Sequence, residues 1–325
     1  MDILTHAVFG ASTYAAAKGN EANRKDLFWG MSLGMLVDAD VFMGFGMDSV
    51  QALLNHRSWT HSFLFTCFAA LIIGLIQKRW RQETMSLRDG LAIFLAIHTH
   101  IWIDALTTYG TRIGFPFSSH PIAWNVIHVF HPMATMTLLV PWLWGAWKRR
   151  GNWGRVGAAS LCAFGLFLAW PLASKSLARK GMNIDQLPQT FTIEVVPTAF
   201  NSWIWHGVAN AGDSLGFATY HVGKDENPEW HWVPSNRAAL AQISELQHVQ
   251  QYLTYAGPDA LVERDDAQGE TRIYAAKFGP INYIGPPQFV HPFVLKDGAT
   301  RGQILETPAY SGPWSNFNAL WGRLW

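Results

Sequence analysis

A long apolar segment of the chain reads Leu91-Ala92-Ile93-Phe94-Leu95-Ala96-Ile97-His98-Thr99-His100-Ile101-Trp102-Ile103-Asp104, and it contains two histidines and one aspartate. Apolar runs of roughly 17–25 residues are typical of membrane helices, whose backbone polar groups are all paired within the segment. Ionisable side chains inside such helices are costly and tend to mark functional sites. The segment therefore predicts a membrane helix that carries part of a site.

Further apolar segments lie before about residue 175, although the whole chain is only 49% hydrophobic. Together with residues 90–107, they predict five membrane spans, at residues 27–45, 62–77, 133–147 and 156–174. Ile3–Ala17 is a sixth candidate, interrupted by polar residues. The predicted fold class is mainly α: an integral membrane helical bundle of five or six spans.

The loops between these segments differ in their content of lysine and arginine, which favours cytoplasmic loops. The basic loops are those around residues 18–25, 78–88 and 148–155, and the loops between them hold only Arg57 and Arg112. This alternation predicts that residues 46–61 and 108–132 lie on the outer, non-cytoplasmic side of the membrane. It also predicts that the chain after residue 174 lies on the outer side.

The sequence changes character at about Asn183, where β-branched and aromatic runs replace the long apolar segments. Strands are predicted at Phe191–Val196, Trp203–Val208 and Phe217–Val222, and an amphipathic helix at Arg237–Tyr255. We therefore expect two domains: a membrane helical domain over residues 1–180 and a soluble α+β domain over residues 181–325.

Histidines and aspartates of the first half concentrate near the predicted outer ends of its helices. His100 and Asp104 are one helical turn apart and project from one face, whereas His98 points elsewhere. The topology, drawn from lysine and arginine alone, brings the group to one side of the membrane. The predicted metal ligands are His6, Asp38, Asp40, His56, His61, His100 and Asp104.

Mixed imidazole and carboxylate ligands favour zinc, with manganese or iron as second choices, and two or three ions would fit. A metal lowers the pKa of bound water and polarises a carbonyl or phosphoryl oxygen, so hydrolysis is the expected chemistry. Asp40 is the predicted general base, and Arg57 is predicted to pair either with phosphate oxygens of a substrate or with a carboxylate of the site.

Four ordered motifs resemble the YdjM/YfhP-type family: Met1–His6, Asp38–Asp40, His56–Ser62 and His100–Asp104 followed by Thr107–Thr111. The chain departs from that pattern at Val37, where proline is usual, and at His131, where aspartate is common. The resemblance implies a bacterial inner-membrane, metal-dependent hydrolase. In that membrane, the topology drawn from the apolar segments and the basic loops predicts a multi-pass protein with the site and the C-terminal domain on the periplasmic side.

The order of these residues is also similar to that of zinc-dependent phospholipases C. By that analogy the substrate is a membrane lipid or a lipid-linked phosphoester at the outer leaflet. A nucleic-acid partner is not expected, and the net charge of +1 points to no other partner. Two alternatives stay open: a cation or proton transporter that uses the His/Asp cluster, and a membrane scaffold whose external domain binds a partner.

Overall fold

The computed structural model describes residues 1–81, 86–148, 151–224, 228–282, 287–289 and 292–304 of the 325-residue chain. These residues form two compact units. The first unit comprises Met1–Phe45, Asn55–Leu172 and Ala199–Asn201, and the second comprises Gly46–Leu54, Ala173–Thr198 and Ser202–Trp325. The main division therefore lies eight residues before the predicted domain boundary at residue 180, and two short segments are exchanged between the units.

Helices dominate the first unit, as the apolar segments predict. Through Gly181 the described chain has seven α-helices: α1 Ile3–Lys18, α2 Arg24–Met35, α3 Ser49–Asn55, α4 Phe63–Arg81, α5 Leu87–Ala105, α6 Pro132–Trp147 and α7 Trp153–Gly181. A 3-10 helix, Val37–Gly44, continues from α2 with a bend of 53°.

Polar side chains fix where the helices of this unit begin. Asp2 caps α1, and Ser86 forms a capping box with Asp89 at the start of α5. At α6 the cap is His131, whose Nδ1 accepts a hydrogen bond from a backbone N–H of the first turn, and Pro132 follows it. The histidine at position 131 therefore supplies the acceptor that an aspartate would supply at a helix cap.

Helices α1 and α2 approach each other closely through glycines. A Cβ atom on Gly10 would overlap the backbone of Gly30 and Gly34, and one on Gly34 would overlap the carbonyl of His6. Small residues at such crossings let two helix backbones pack directly. This packing places the first turn of α1 beside the last turn of α2.

One face of α5 forms the centre of an apolar cluster. Ile93, Ile97 and Ile101 recur every four residues, are fully buried, and pack with Tyr14 and Leu33 of α1 and α2. This apolar stripe fixes the rotation of α5 about its axis. With this rotation fixed, the polar face of α5 also has a fixed direction.

Two helices in the described part of the chain are long and apolar enough to cross a membrane, at Phe63–Trp80 and Trp153–Gln186. The bent pair Arg24–Met35 and Val37–Gly44 is a third candidate if it counts as one span. Helices α1 and α6 have 16 residues each and fall short of the usual span length. The five or six predicted spans are therefore supported only as two or three.

The second unit contains two four-stranded antiparallel sheets. The first has the order β1-β2-β3-β4 and the second the order β5-β6-β7-β8. The strands are β1 Thr192–Pro197, β2 Ile204–Asn210, β3 Ser214–His221, β4 His231–Pro234, β5 Ala260–Asp265, β6 Glu270–Ala275, β7 Phe293–Lys296 and β8 Gln303–Ile304. Leu261 of β5 joins Val208 and Phe217 in one buried cluster, so the sheets share a core.

The three predicted strands are confirmed within a few residues, whereas the predicted helix Arg237–Tyr255 is wrong over its first half. That region is a 3-10 turn at Arg237–Leu240 and a separate helix α8, Gln247–Ala256. Leu240 and Val249 face the same core from these two pieces, so the apolar spacing of one helix is satisfied by two short ones. The predicted α+β domain is a two-sheet β domain with one short α-helix in its described part.

Helix α3 packs in the core of this second unit although it precedes α4 in the chain. Val50 has no exposed surface and lies in one cluster with Val249 and Tyr252 of α8. Asp48 Oδ1 accepts hydrogen bonds from the backbone N–H groups of Val50 and Gln51, both at 3.0 Å. The segment is therefore both capped and anchored.

The Val50→Ala substitution should lower the free energy of unfolding of the second unit by about 1–3 kcal/mol, because it removes buried methyl groups and leaves a cavity. The change is measured by thermal unfolding of the detergent-purified protein, with protease susceptibility as the readout. Gln51→Ala, at the exposed neighbouring position, is the matched control and should behave as wild type. Equal stabilities of the two variants would show that α3 is not anchored by Val50.

Candidate metal centre

Helix α5 contributes two side chains to the candidate site from its last two turns. His100 and Asp104 are both buried, with Nε2 and Oδ2 3.5 Å apart, as their four-residue spacing predicts. His6 of α1 stacks on His100 with ring centroids 3.7 Å apart. Its Nε2 lies 3.2 Å from Asp104 Oδ1.

The 3-10 helix after α2 separates its two aspartates. Asp38 Oδ1 lies 3.4 Å from His61 Nε2 and 3.3 Å from His100 Nε2. Asp40 instead lies 3.0 Å from His56 Nδ1 and 3.4 Å from His61 Nδ1. His61 therefore stands between the two carboxylates, with one ring nitrogen directed to each.

The segment His56–Ser62 reaches the site through an uncommon backbone conformation. Arg57 has a φ of 59°, in the left-handed region that non-glycine residues seldom adopt. Such conformations persist only where the surrounding contacts impose them, and they cluster at functional sites. The turn leads into the 3-10 helix Trp59–His61, which places His61 beside α5.

Four of the six distances among the ligand atoms of this group match the edges of a zinc tetrahedron. Each of the two histidine Nε2 atoms, of His61 and His100, lies 3.3–3.5 Å from Asp38 Oδ1 and from Asp104 Oδ2. Zinc bonds of about 2.0–2.1 Å, arranged tetrahedrally, place ligand atoms roughly 3.3–3.4 Å apart. The four side chains therefore match the size of a zinc site.

Hydrogen bonds do not explain these contacts. The 3.3–3.5 Å separations exceed the usual 2.7–3.2 Å of an N–H···O bond, and His61 Nε2, His100 Nε2 and Asp104 Oδ2 are buried without a hydrogen-bond partner. A native structure seldom leaves such groups unsatisfied. Three unsatisfied atoms that face one another are the arrangement expected of metal ligands.

The other nitrogen of each histidine fixes which nitrogen offers a lone pair. His100 Nδ1 lies 2.7 Å from the carbonyl oxygen of Gly34, which can only accept a hydrogen bond, so Nδ1 donates. Thr60 Oγ1 donates to Asp40 Oδ2 at 2.8 Å and therefore accepts from His61 Nδ1 at 3.0 Å. Both neutral rings then direct an Nε2 lone pair at the carboxylates, as in carboxylate–histidine–zinc arrangements.

Lone pairs of nitrogen and oxygen that face one another repel unless positive charge lies between them. Burial disfavours the imidazolium form of His61, but the negative carboxylates of Asp104, Asp38 and Asp40 beside the ring outweigh burial and raise the pKa of His61 to about 10. Without a cation, a proton therefore supplies that charge. A metal ion would replace the proton at the same place.

The remaining oxygen of Asp104 is neutralised from another side. Oδ1 contacts the amino group of Met1 and lies 3.1 Å from an Nη atom of Arg57. The Arg57 guanidinium also donates to Thr107 Oγ1 at 3.1 Å and lies over the Tyr109 ring, 4.5 Å from its centroid. Oδ2 of Asp104 is thereby left for the four-atom group.

A second group, Asp40, His56 and His61, offers ligand atoms within 4.8 Å of one another. Its most exposed side chain is that of His56, of which 26% is accessible to solvent. All seven predicted ligands and Arg57 thus lie in one connected cluster. Their individual roles stay predictions.

His98 lies outside this cluster although it is two residues from His100. Its Nε2 accepts a hydrogen bond from the Trp102 indole at 2.9 Å, and its Nδ1 lies 2.9 Å from Thr66 Oγ1. Both ring nitrogens are therefore satisfied by protein groups. The sequence predicts that His98 lies on another face, as observed, but it gives no signal for the Gly34 carbonyl, which the packing of α2 against α5 brings to His100.

Substitution of His100 by alanine should abolish stoichiometric zinc binding, weakening affinity by more than the 10–100-fold typical of a lost outer contact. Elemental analysis of detergent-purified protein by mass spectrometry gives the zinc content per chain. His98→Gln, on the same helix, is the matched control and should retain zinc. Zinc retained by His100→Ala would contradict the assignment of the four-atom group.

Comparisons with known proteins identify one family and two relatives. The sequence model of the YdjM inner membrane protein family matches residues 1–178. Inner membrane protein YbcI of Escherichia coli (strain K12) is 32% identical over 132 residues, which are 39% of this chain and 75% of YbcI. The uncharacterized protein YfhP of Bacillus subtilis (strain 168) is 33% identical over 78 residues, 24% of each chain.

No solved structure matches the chain. The similarity to zinc-dependent phospholipases C stays a prediction, whereas the resemblance to the YdjM/YfhP-type family is confirmed. The matched residues include the whole cluster, from His6 to Asp104, and more than half of the sequence. The chain belongs to the YdjM inner membrane protein family.

Proposed function

We propose that this protein is a membrane-embedded, zinc-dependent hydrolase. The observation that carries the proposal is the four-atom group of Asp38, His61, His100 and Asp104, with its nitrogen–oxygen distances of 3.3–3.5 Å and its unsatisfied buried atoms. When bound there, zinc would act as a Lewis acid and activate water for hydrolysis. Two nitrogen and two oxygen ligands suit zinc better than calcium or magnesium, which prefer oxygen.

The chain leaves this group open on one side. The side chains of His61, His100 and Asp104 are fully buried, whereas 19% of the Asp38 side chain is exposed to solvent. Catalytic zinc sites need a position that water or substrate can reach. We place that position beside Asp38.

Arg57 is suited to bind an anionic substrate oxygen. Its guanidinium is buried and charged, it borders Asp104, and its Nε makes no hydrogen bond in the structure. Arginine pairs well with phosphate because its planar donors match the spacing of the oxygens. We therefore propose a phosphoester as the substrate.

Apolar side chains around the cluster support a lipid-linked substrate. Val41, Phe42 and Phe45 follow Asp40 in sequence and are exposed, as are Trp59 and Phe63 on either side of His61. An apolar border at a polar site suits a molecule with a charged head group and a hydrocarbon tail. The proposal includes five or six spans and a site at the periplasmic face.

Hydrolysis of phospholipids and lipid-linked phosphoesters in mixed micelles tests the function. The zinc-loaded protein should release product, chelator treatment should abolish release, and added zinc should restore it. Asp104→Asn should reduce turnover to background, because it removes a ligand charge while keeping the side-chain shape. His98→Gln should retain wild-type turnover.

A zinc-loaded protein that hydrolyses none of these substrates would contradict the proposed reaction. A protein that binds no stoichiometric metal under zinc-replete conditions would contradict the site itself. Flux of zinc or protons through proteoliposomes would then be the next measurement, because the same residues could serve a transporter.

Arg57→Lys should lower kcat/KM for a phosphoester by about 10-fold or more, because an ammonium ion cannot replace the paired donors of a guanidinium. Steady-state kinetics on the same micelles measures the change, with zinc content as the control. Unchanged kcat/KM in a fully zinc-loaded Arg57→Lys variant would show that Arg57 does not bind the substrate.

A further inference from the structure

Asp40 is a predicted metal ligand and general base, but its surroundings differ from those of Asp38 and Asp104. Its Oδ1 lies 3.0 Å from His56 Nδ1. Its Oδ2 accepts hydrogen bonds from Thr60 Oγ1 at 2.8 Å and from the backbone N–H of Arg57 at 3.3 Å. Both oxygens are therefore occupied by protein donors.

Asp104, in the same cluster, has an oxygen that remains available to bind a metal. Its Oδ2 is buried without any hydrogen-bond partner and faces two histidine nitrogens. A metal at the Asp40 group would have to displace the donors from Thr60 or His56. Asp104 is therefore available as a metal ligand, whereas Asp40 is engaged by protein hydrogen-bond donors.

His61 connects Asp40 to the four-atom group. Its Nδ1 lies 3.4 Å from Asp40 Oδ2 and carries the proton, because the Thr60 hydroxyl has already donated its own to Asp40. Ions in both groups would require His61 to bind metal through both nitrogens and lose that proton. One ion, held through Nε2, leaves the Nδ1–H bond to the Asp40–Thr60 pair intact.

We propose that Asp40 is a positioning residue for a single-ion centre: through the Thr60 hydroxyl, which donates to Asp40 and accepts from His61 Nδ1, it holds His61 in the orientation that directs Nε2 at the metal. The inference rests on the proposed zinc site and deepens it. Asp40 also fixes the left-handed turn at Arg57 by accepting that residue's backbone N–H. One carboxylate thereby sets the geometry of the whole His56–His61 segment.

Cobalt binding by the full-length, detergent-purified protein tests this role without any enzyme assay. Co²⁺ replaces zinc in tetrahedral sites, and its visible absorption reports coordination geometry. Wild type, Asp40→Asn and Asp104→Asn are titrated with Co²⁺ alone, and affinity is measured by competition with a chelator. Thr60→Val, which removes one donor to Asp40, is a milder second variant.

Wild type should bind one Co²⁺ per chain with a tetrahedral spectrum. Asp40→Asn should keep that stoichiometry and band shape but bind about 10–100-fold more weakly, the usual effect of losing an outer-sphere partner. Thr60→Val should show a smaller loss in the same direction. Asp104→Asn should lose the tetrahedral spectrum, as expected of a ligand.

Two Co²⁺ ions per wild-type chain, reduced to one by Asp40→Asn, would overturn the proposal and make Asp40 a ligand. Unchanged affinity in both Asp40→Asn and Thr60→Val would also overturn it. A wild type that binds no Co²⁺ or zinc would remove the site altogether. One-ion binding with weakened Asp40→Asn but no hydrolysis would contradict the proposed reaction alone and leave the positioning role standing.

Discussion

The buried carboxylate of Asp104 is the constraint on which the first unit depends. A charge in an apolar helix is tolerated only where opposite charge and hydrogen bonds surround it. Arg57 and the Met1 amino group meet one oxygen, while His61 and His100 face the other. Three stretches of chain that are distant in sequence are thereby held at one point, and the remaining lone pairs are balanced only by a proton or a metal ion.

The residues of the site were predictable from sequence because ionisable side chains in apolar segments are conspicuous. The different role of each residue within the site was not predictable. Asp38 and Asp40 are both predicted metal ligands, yet the 3-10 conformation directs them to opposite nitrogens of His61. The 3-10 helix follows the 53° bend after α2, where Val37 is fully buried.

The fold was predictable to a similar extent. Period-two and β-branched patterns located β1 to β3, since each strand has its own local signal. The number of spans and the split helix at residues 237–256 were harder to predict from sequence. Apolar periodicity shows which residues are buried but not which residues they pack against. Helix α3 shows this best: nothing in Ser49–Asn55 indicates that its partners lie in a β domain.

The capture of α3 by the second unit has a consequence for biogenesis. Val50 reaches its buried position only against Val249 and Tyr252, about 200 residues later in the chain. The segment that links Asp40 to His56 therefore stays unanchored during synthesis until the C-terminal strands have been made and folded. A chain that ended before α8 would therefore leave the apolar face of α3 without the partners that bury it.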